Sequence, residues 1–270
     1  MKMVSAAKLR KAQDTILQMR PYANKLQEIL AGLTESLENE QDNIYGNVRE
    51  LNKVLIVAIS SNKGLCGAFN SNIAKKVMQL MEGHYWKQKR DDQIEILAVG
   101  KKASDLLISK GVRVNETEHD LLDDMSYEMV VNLAKRIMKS FVAGIYDEVQ
   151  IVYNQFRNAA VQDLIVEQYL PILPEEQDRF DTTHTDYILE PSKQEIINDL
   201  IPKSLKIQLY KTFLDSIASE HGARMTAMHK ATDNATELIK ELRLEYNKAR
   251  QASITTEILE IVGGAEALKS

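Results

Sequence analysis

A heptad repeat at both ends of the chain constrains the fold more than any other feature. From Leu9, apolar residues recur every seven positions at Ile16, Ala23, Leu30 and Leu37, while Ala12, Met19, Leu26 and Leu33 supply the second apolar position. Such a pattern lays a narrow seam along one side of a helix, and the seam needs a second helix to cover it. Pro21 falls inside the repeat; the phase resumes beyond it, which predicts a bent helix rather than an ended one. The C-terminal part repeats the pattern, with Met228, Ala235, Leu242 and Ala249 on one seam position and Ala231, Leu238, Ala252 and Leu259 on the other; Glu245 is its one clear break. No proline follows Pro202 and no glycine lies between Gly222 and Gly263. A helix from about residue 203 to 262 would be roughly 90 Å long, and its N-terminal counterpart roughly 60 Å, at about 1.5 Å per residue. The expectation is an antiparallel coiled coil that extends beyond a globular body.

The middle of the chain alternates. Lys53–Ser60 is an apolar run of strand length, followed by a Gly-containing loop and a helical pattern from about Asn70 to Lys89. Ile94–Val99 reads as a strand, Gly100–Lys110 as a short helix, Val112–Asn115 as a short strand, Met125–Ile145 as a helix and Val149–Tyr153 as a strand. That order indicates a Rossmann-like α/β layer domain with a parallel sheet. Asp163–Leu170 and Tyr187–Leu189 read as extra edge strands, and Glu175–Thr185 as an exposed loop. Glu195 stands where a capping box opening at Ser192 would need it. The resulting division is 1–45 for the N-terminal coiled-coil helix, 46–191 for the α/β domain and 192–270 for the C-terminal helix.

Catalytic and ligand motifs are weak. The loop Ser60–Gly67 sits where α/β folds bind phosphate, yet it lacks both the three glycines of a dinucleotide fingerprint and the Gly-Lys-Ser/Thr ending of a P-loop. Ser60 and Lys63 have a Ser-x-x-Lys spacing without its companion motifs, so turn chemistry explains them better. Cys66, the single cysteine, has no His near it in sequence and reads as a small turn residue. His184 in its acidic loop reads as solvated, and His221 and His229, eight apart on a helix, are too far apart to share a metal. These readings leave no catalytic residue, metal ligand, cofactor or direct small-molecule substrate. A net charge of −5 argues against nucleic acid. The longest apolar runs fall well short of the roughly 20 residues that span a membrane, so membrane contact is expected through partners. In the first helix Lys2, Lys8, Arg10, Lys11, Arg20 and Lys25 precede Glu28, Glu35, Glu38, Glu40 and Asp42, opposite to the helix dipole. Either that basic half faces acidic surfaces on a partner or it is a solvated face.

Several stretches together resemble one family. They are Lys2–Gln13, Arg20–Tyr22, the turn Gly64–Gly67, Ala223–Met228, Lys230–Asn234, Tyr246–Thr255 and Glu260–Gly264, and they resemble the gamma subunit of rotary ATP synthases along the whole chain. The resemblance implies a noncatalytic central-stalk rotor of a proton-translocating ATP synthase. Its terminal helices would enter a ring of alternating alpha and beta subunits, while its α/β domain would meet the epsilon subunit and the membrane c ring. Proton-driven rotation would carry three beta-subunit sites through their states in turn. It further implies partner contacts at Arg250 and Gln251, which match a pair that engages a catalytic subunit's loop, and at the shaft-tip positions Thr255, Glu260, Ile261 and Val262. Arg224 matches a coupling position, Met1 a position near the acidic lever of beta, and Tyr187 and Glu190 fall in a stretch at the foot. Members of the family carry several more turns of basic helix ahead of the position of Met1, so the resemblance implies a chain lacking the usual first turns. The expected location is the bacterial plasma (inner) membrane, peripheral, on the cytoplasmic side. A coiled-coil scaffold with an α/β adaptor, without a motor, is the principal rival, and a small-molecule-binding α/β enzyme the more distant one.

Overall fold

The computed structural model describes residues 1–35, 44–123, 125–172 and 193–267. Contacts divide the chain into two units, Met1–Thr226 and Ala227–Ser270.

The first unit is organised by a five-stranded sheet: β1 (Val54–Ile59), β2 (Ile94–Val99), β3 (Glu116–Glu118), β4 (Glu148–Phe156) and β5 (Gln162–Leu170) in the order β3-β2-β1-β4-β5. β1 pairs in parallel with β2 and β4, and β2 with β3, while β5 runs antiparallel to β4. Every residue of β1 is buried, because helices cover both faces of the sheet and its apolar run has no polar side to show. The two-residue period sorts the strand between two cores. Leu55, Val57 and Ile59 meet Val130, Leu133, Ile137 and Phe141 of α5 (Tyr127–Val142), together with Leu205, Leu209 and Phe213 of α6 (Lys193–Ala267). Val54, Ile56 and Ala58 meet Ile73, Val77 and Met81 of α2 (Phe69–Glu82), together with Ala103 and Leu107 of α4 (Lys101–Ser109).

Helix α1 (Lys2–Glu35) runs through Pro21 and buries the seam residues Leu9, Ala12, Ile16, Ala23 and Leu26. Leu9, Ala12 and Ile16 lie with Leu214 and Ala218, whereas Ala23 and Leu26 lie with Ile207. Numbers rise along α1 as they fall along α6, so the pair is antiparallel.

Two expectations need correction. The helix read from Asn70 to Lys89 is broken at Gly83 into α2 and a short α3 (Trp86–Arg90). There the Gly83 and Tyr85 amides donate back to Gln79 and Leu80, closing the turn. The short strand read at Val112–Asn115 is displaced to Glu116–Glu118: the Val112 amide donates to Leu107 to finish α4's turn, and pairing with β2 starts only at Leu97 and Glu116. The readings at 173–192, including Tyr187–Leu189 and His184, lie outside the described residues.

The second unit, taken by itself, is helical through Ala267, and every residue from His229 to Ala267 is exposed. Leu238 (54% exposed), Leu242 (53%) and Leu259 (66%), all seam residues by the heptad pattern, have no covering helix among the described residues.

Candidate functional site

An open parallel sheet has its ligand crevice at the carboxyl ends of the strands where the strand order reverses, here beyond β1 and β4. The loop that leaves β1 there begins with two buried serines. Ser60 Oγ accepts from the Ala103 amide (3.0 Å) and lies 3.2 Å from the carbonyl oxygens of Val99 and Gly100. Gly100, at φ +94°, must be glycine, since a Cβ would come within 2.7 Å of that hydroxyl oxygen. Ser61 donates its amide to Asn70 Oδ1 (3.0 Å), and Asn70 Nδ2 donates to Cys66 Sγ (3.2 Å). Each serine is committed to holding the loop, which disposes of the Ser-x-x-Lys reading. Burial raises the Cys66 thiol above its ordinary range, against smaller lowering influences from Ser61 and Arg224. A protonated, hydrogen-bonded thiol is a poor nucleophile.

The loop is then held from across the fold. Arg224, on α6, donates from Nη2 to the Lys63 carbonyl (2.9 Å) and from Nε to the Gly64 carbonyl (3.1 Å). Its Nη1 pairs with Glu220 Oε1 at 2.7 Å, with both side chains almost wholly buried, and lies 3.3 Å from His221 Nδ1. Burial raises the Glu220 carboxyl, and the Arg224 guanidinium only partly offsets that. Burial, with help from the Arg224 and Lys8 charges, pushes His221 down to about 4, so its ring is neutral. A phosphate site needs amide N–H groups and positive charge turned toward an open crevice. Here the loop turns carbonyl oxygens toward a guanidinium of its own chain. Leu65 and Gly67 adopt positive φ (63° and 61°), which lets the two carbonyls face α6 while the Leu65 side chain stays exposed.

The residues expected to contact partners therefore differ in setting. Arg224 is buried in the first unit. Arg250, Gln251, Thr255, Glu260, Ile261 and Val262 are exposed in the second, where Thr255 Oγ1 donates to the Gln251 carbonyl (2.8 Å). At about 100° per residue, Gln251, Thr255 and Val262 share one stripe, Arg250 and Ile261 lie about 100° round from it, and Glu260 lies on the opposite side. Met1 is exposed ahead of α1, and Tyr187 and Glu190 lie outside the described residues. Glu220 and Asn70 were not singled out from sequence, and His221 was weighed only as a metal partner of His229. The only sequence signal for them was the Gly64–Gly67 turn, whose partner stands 160 residues away. Among the described residues, no three His, Cys, Asp or Glu side chains gather as a metal site and no helix is long and apolar enough to cross a membrane.

An α/β unit whose β1 loop is held by its own arginine, together with an exposed helix patterned for burial, is the make-up of an assembly subunit. A family model described as ATP synthase matches residues 1–268. The chain is 54% identical over 269 residues to the ATP synthase gamma chain of Flavobacterium psychrophilum, covering all of this chain and 92% of that one. It is 42% identical to the gamma chain of Geobacter metallireducens, again covering all of this chain and 92% of that one. The chain belongs to the ATP synthase gamma family, and as such it is a noncatalytic subunit. Two solved structures share the fold. A chain of the Tetrahymena thermophila mitochondrial ATP synthase central stalk and c ring has a TM-score of 0.59 at 24% identity, over 86% of this chain and 97% of that one. One from the Euglena gracilis mitochondrial enzyme has 0.61 at 20%, over 97% and 95%.

Proposed function

We propose that this chain is the central-stalk rotor of a proton-translocating ATP synthase, coupling rotation of the membrane c ring to conformational cycling of the catalytic beta subunits. The observation that carries this beyond family membership is the second unit: a helix patterned for burial yet bare from His229 to Ala267, a surface that an encircling partner would cover. Arg250, Gln251, Thr255, Glu260, Ile261 and Val262, with Met1, are the contacts to the alpha and beta ring, and Tyr187 and Glu190 those to epsilon or the c ring. Because these tip residues occupy different sides of one helix, three similar neighbours around it meet different chemistry. Each is biased toward a different conformation, and turning the helix exchanges the biases. Arg224 serves coupling indirectly, by fastening the helix to the body. Segments 1–45 and 192–270 form the shaft and 46–191 the foot.

The exposed cations Lys8, Arg10 and Lys11 face acidic partner surfaces, so neutralising all three should weaken assembly. The relatives are bacterial gamma chains of a membrane-associated complex, which supports a peripheral place on the cytoplasmic side of the plasma membrane. Coexpression with the host's alpha and beta subunits tests the reading. A complex that hydrolyses ATP, and that is inactive or uncoupled with Arg250→Ala and Gln251→Ala together, is the expected result. A chain that purifies apart from alpha and beta would favour the free-standing scaffold.

A further inference from the structure

Six threonines lie on α6, and five of them, Thr212, Thr232, Thr236, Thr255 and Thr256, turn their hydroxyls back to the carbonyl four residues earlier in the same helix. That is the ordinary choice for a helical threonine. Thr226 departs from it: its Oγ1 donates out of the helix to the carbonyl of Ala159, at 3.0 Å. Ala159 lies in the connection between β4 and β5, where the Asn158 carboxamide oxygen accepts from the amides of Ala160 (2.9 Å) and Val161 (2.8 Å). The connection is thus a hydrogen-bonded turn, and its Ala159 carbonyl also accepts from Gln162 Nε2 at 3.2 Å.

One turn earlier on the same face of α6 stands Gly222. A Cβ there would lie 3.2 Å from Ala159 Cα and 3.3 Å from its carbonyl oxygen. Glycine is the least favoured non-proline residue inside a helix, so its presence on the packed face marks a place where two backbones must approach closely. Arg224 points the other way. At about 100° per residue its side chain lies about 160° to 200° round from Thr226 and Gly222, where it holds the Lys63 and Gly64 carbonyls.

We infer that these two loops form a two-sided clamp that fixes the rotational setting of α6 about its own axis at residues 222–226, with Thr226 and Gly222 as positioning residues for coupling. A contact on one face resists tilt. Contacts on opposite faces, each off the axis, resist twist as well, and twist is the load a rotor carries. The inference rests on the rotor reading and adds to it the place where torque passes between helix and body.

The test uses the complete complex in inverted membrane vesicles, measuring ATP hydrolysis and ATP-driven proton pumping side by side. Thr226→Val keeps the shape and removes the hydroxyl; it should leave hydrolysis near the unmodified rate and lower the pumping-to-hydrolysis ratio about threefold, the scale of one net hydrogen bond. Thr226→Ser should restore the ratio. Gly222→Ala, which must push the hairpin away by a few tenths of an ångström, should lower it too. An unchanged ratio in either Thr226→Val or Gly222→Ala overturns the clamp. So does a Thr226→Val chain that fails to assemble while Thr226→Ser assembles, because the bond would then be needed for folding rather than for coupling. If the unmodified chain itself does not join an ATP-hydrolysing complex, the rotor reading fails instead.

Discussion

The two parts of α6 carry similar patterns and have opposite fates. Between Ile201 and Thr226 its large apolar residues are buried or half-buried: Leu205, Leu209 and Phe213 enter the sheet core, and Ile207, Leu214 and Ala218 receive α1. From His229 onward leucines and isoleucines at the same kind of spacing are exposed. A heptad states that a helix needs cover and is silent on who provides it. In the first part the cover is internal and stabilises the fold, whereas in the second none of the described residues supplies it.

The contrast breaks most visibly at its ends. Phe213→Ala, in the fully buried part, should cost about 3–5 kcal/mol and lower the denaturation midpoint of the chain alone. Arg224→Met leaves Glu220 buried without its partner and should cost about 3 kcal/mol at neutral pH. That loss should shrink in acid, since the raised Glu220 carboxyl then takes a proton, and adding Glu220→Gln should recover part of it; urea titrations at two pH values read both.

His221 gives a smaller effect. Its folded value near 4 lies below the ordinary 6.5, so the unfolded chain holds the extra proton between these values. Its contribution to stability is therefore present above pH 6.5 and lost as pH falls toward 4. His221→Gln should flatten that part of the melting-temperature profile. Least of all, Leu242→Ala in the bare part should move the stability of the chain alone by under about 0.5 kcal/mol. A large loss there would mean that the second part has internal cover after all.

Local periodicity made much of the fold legible. The buried run of β1, the bounds of β2, the edge strand β5 and the α1 seam from Leu9 to Leu26 all follow from patterns within a few residues; that β5 runs antiparallel does not. The displaced β3 and the break at Gly83 do not, because register against β2 and the closing bonds to Gln79 and Leu80 depend on neighbours that a pattern does not name. The site was half legible. The Gly64–Gly67 turn and Arg224 could each be singled out, one as a turn and the other through family likeness. Their bond could not, since nothing local to Lys63 requires a guanidinium from a helix far along the chain.

The carbonyl-lined loop also limits what can be built on this scaffold. Grafting a Gly-Lys-Ser phosphate loop after β1 would turn amides toward the crevice, where Arg224 would lose both acceptors and Glu220 would remain buried beside a detached cation. A designer seeking a nucleotide-sensing variant would first have to rebuild the root of the helix.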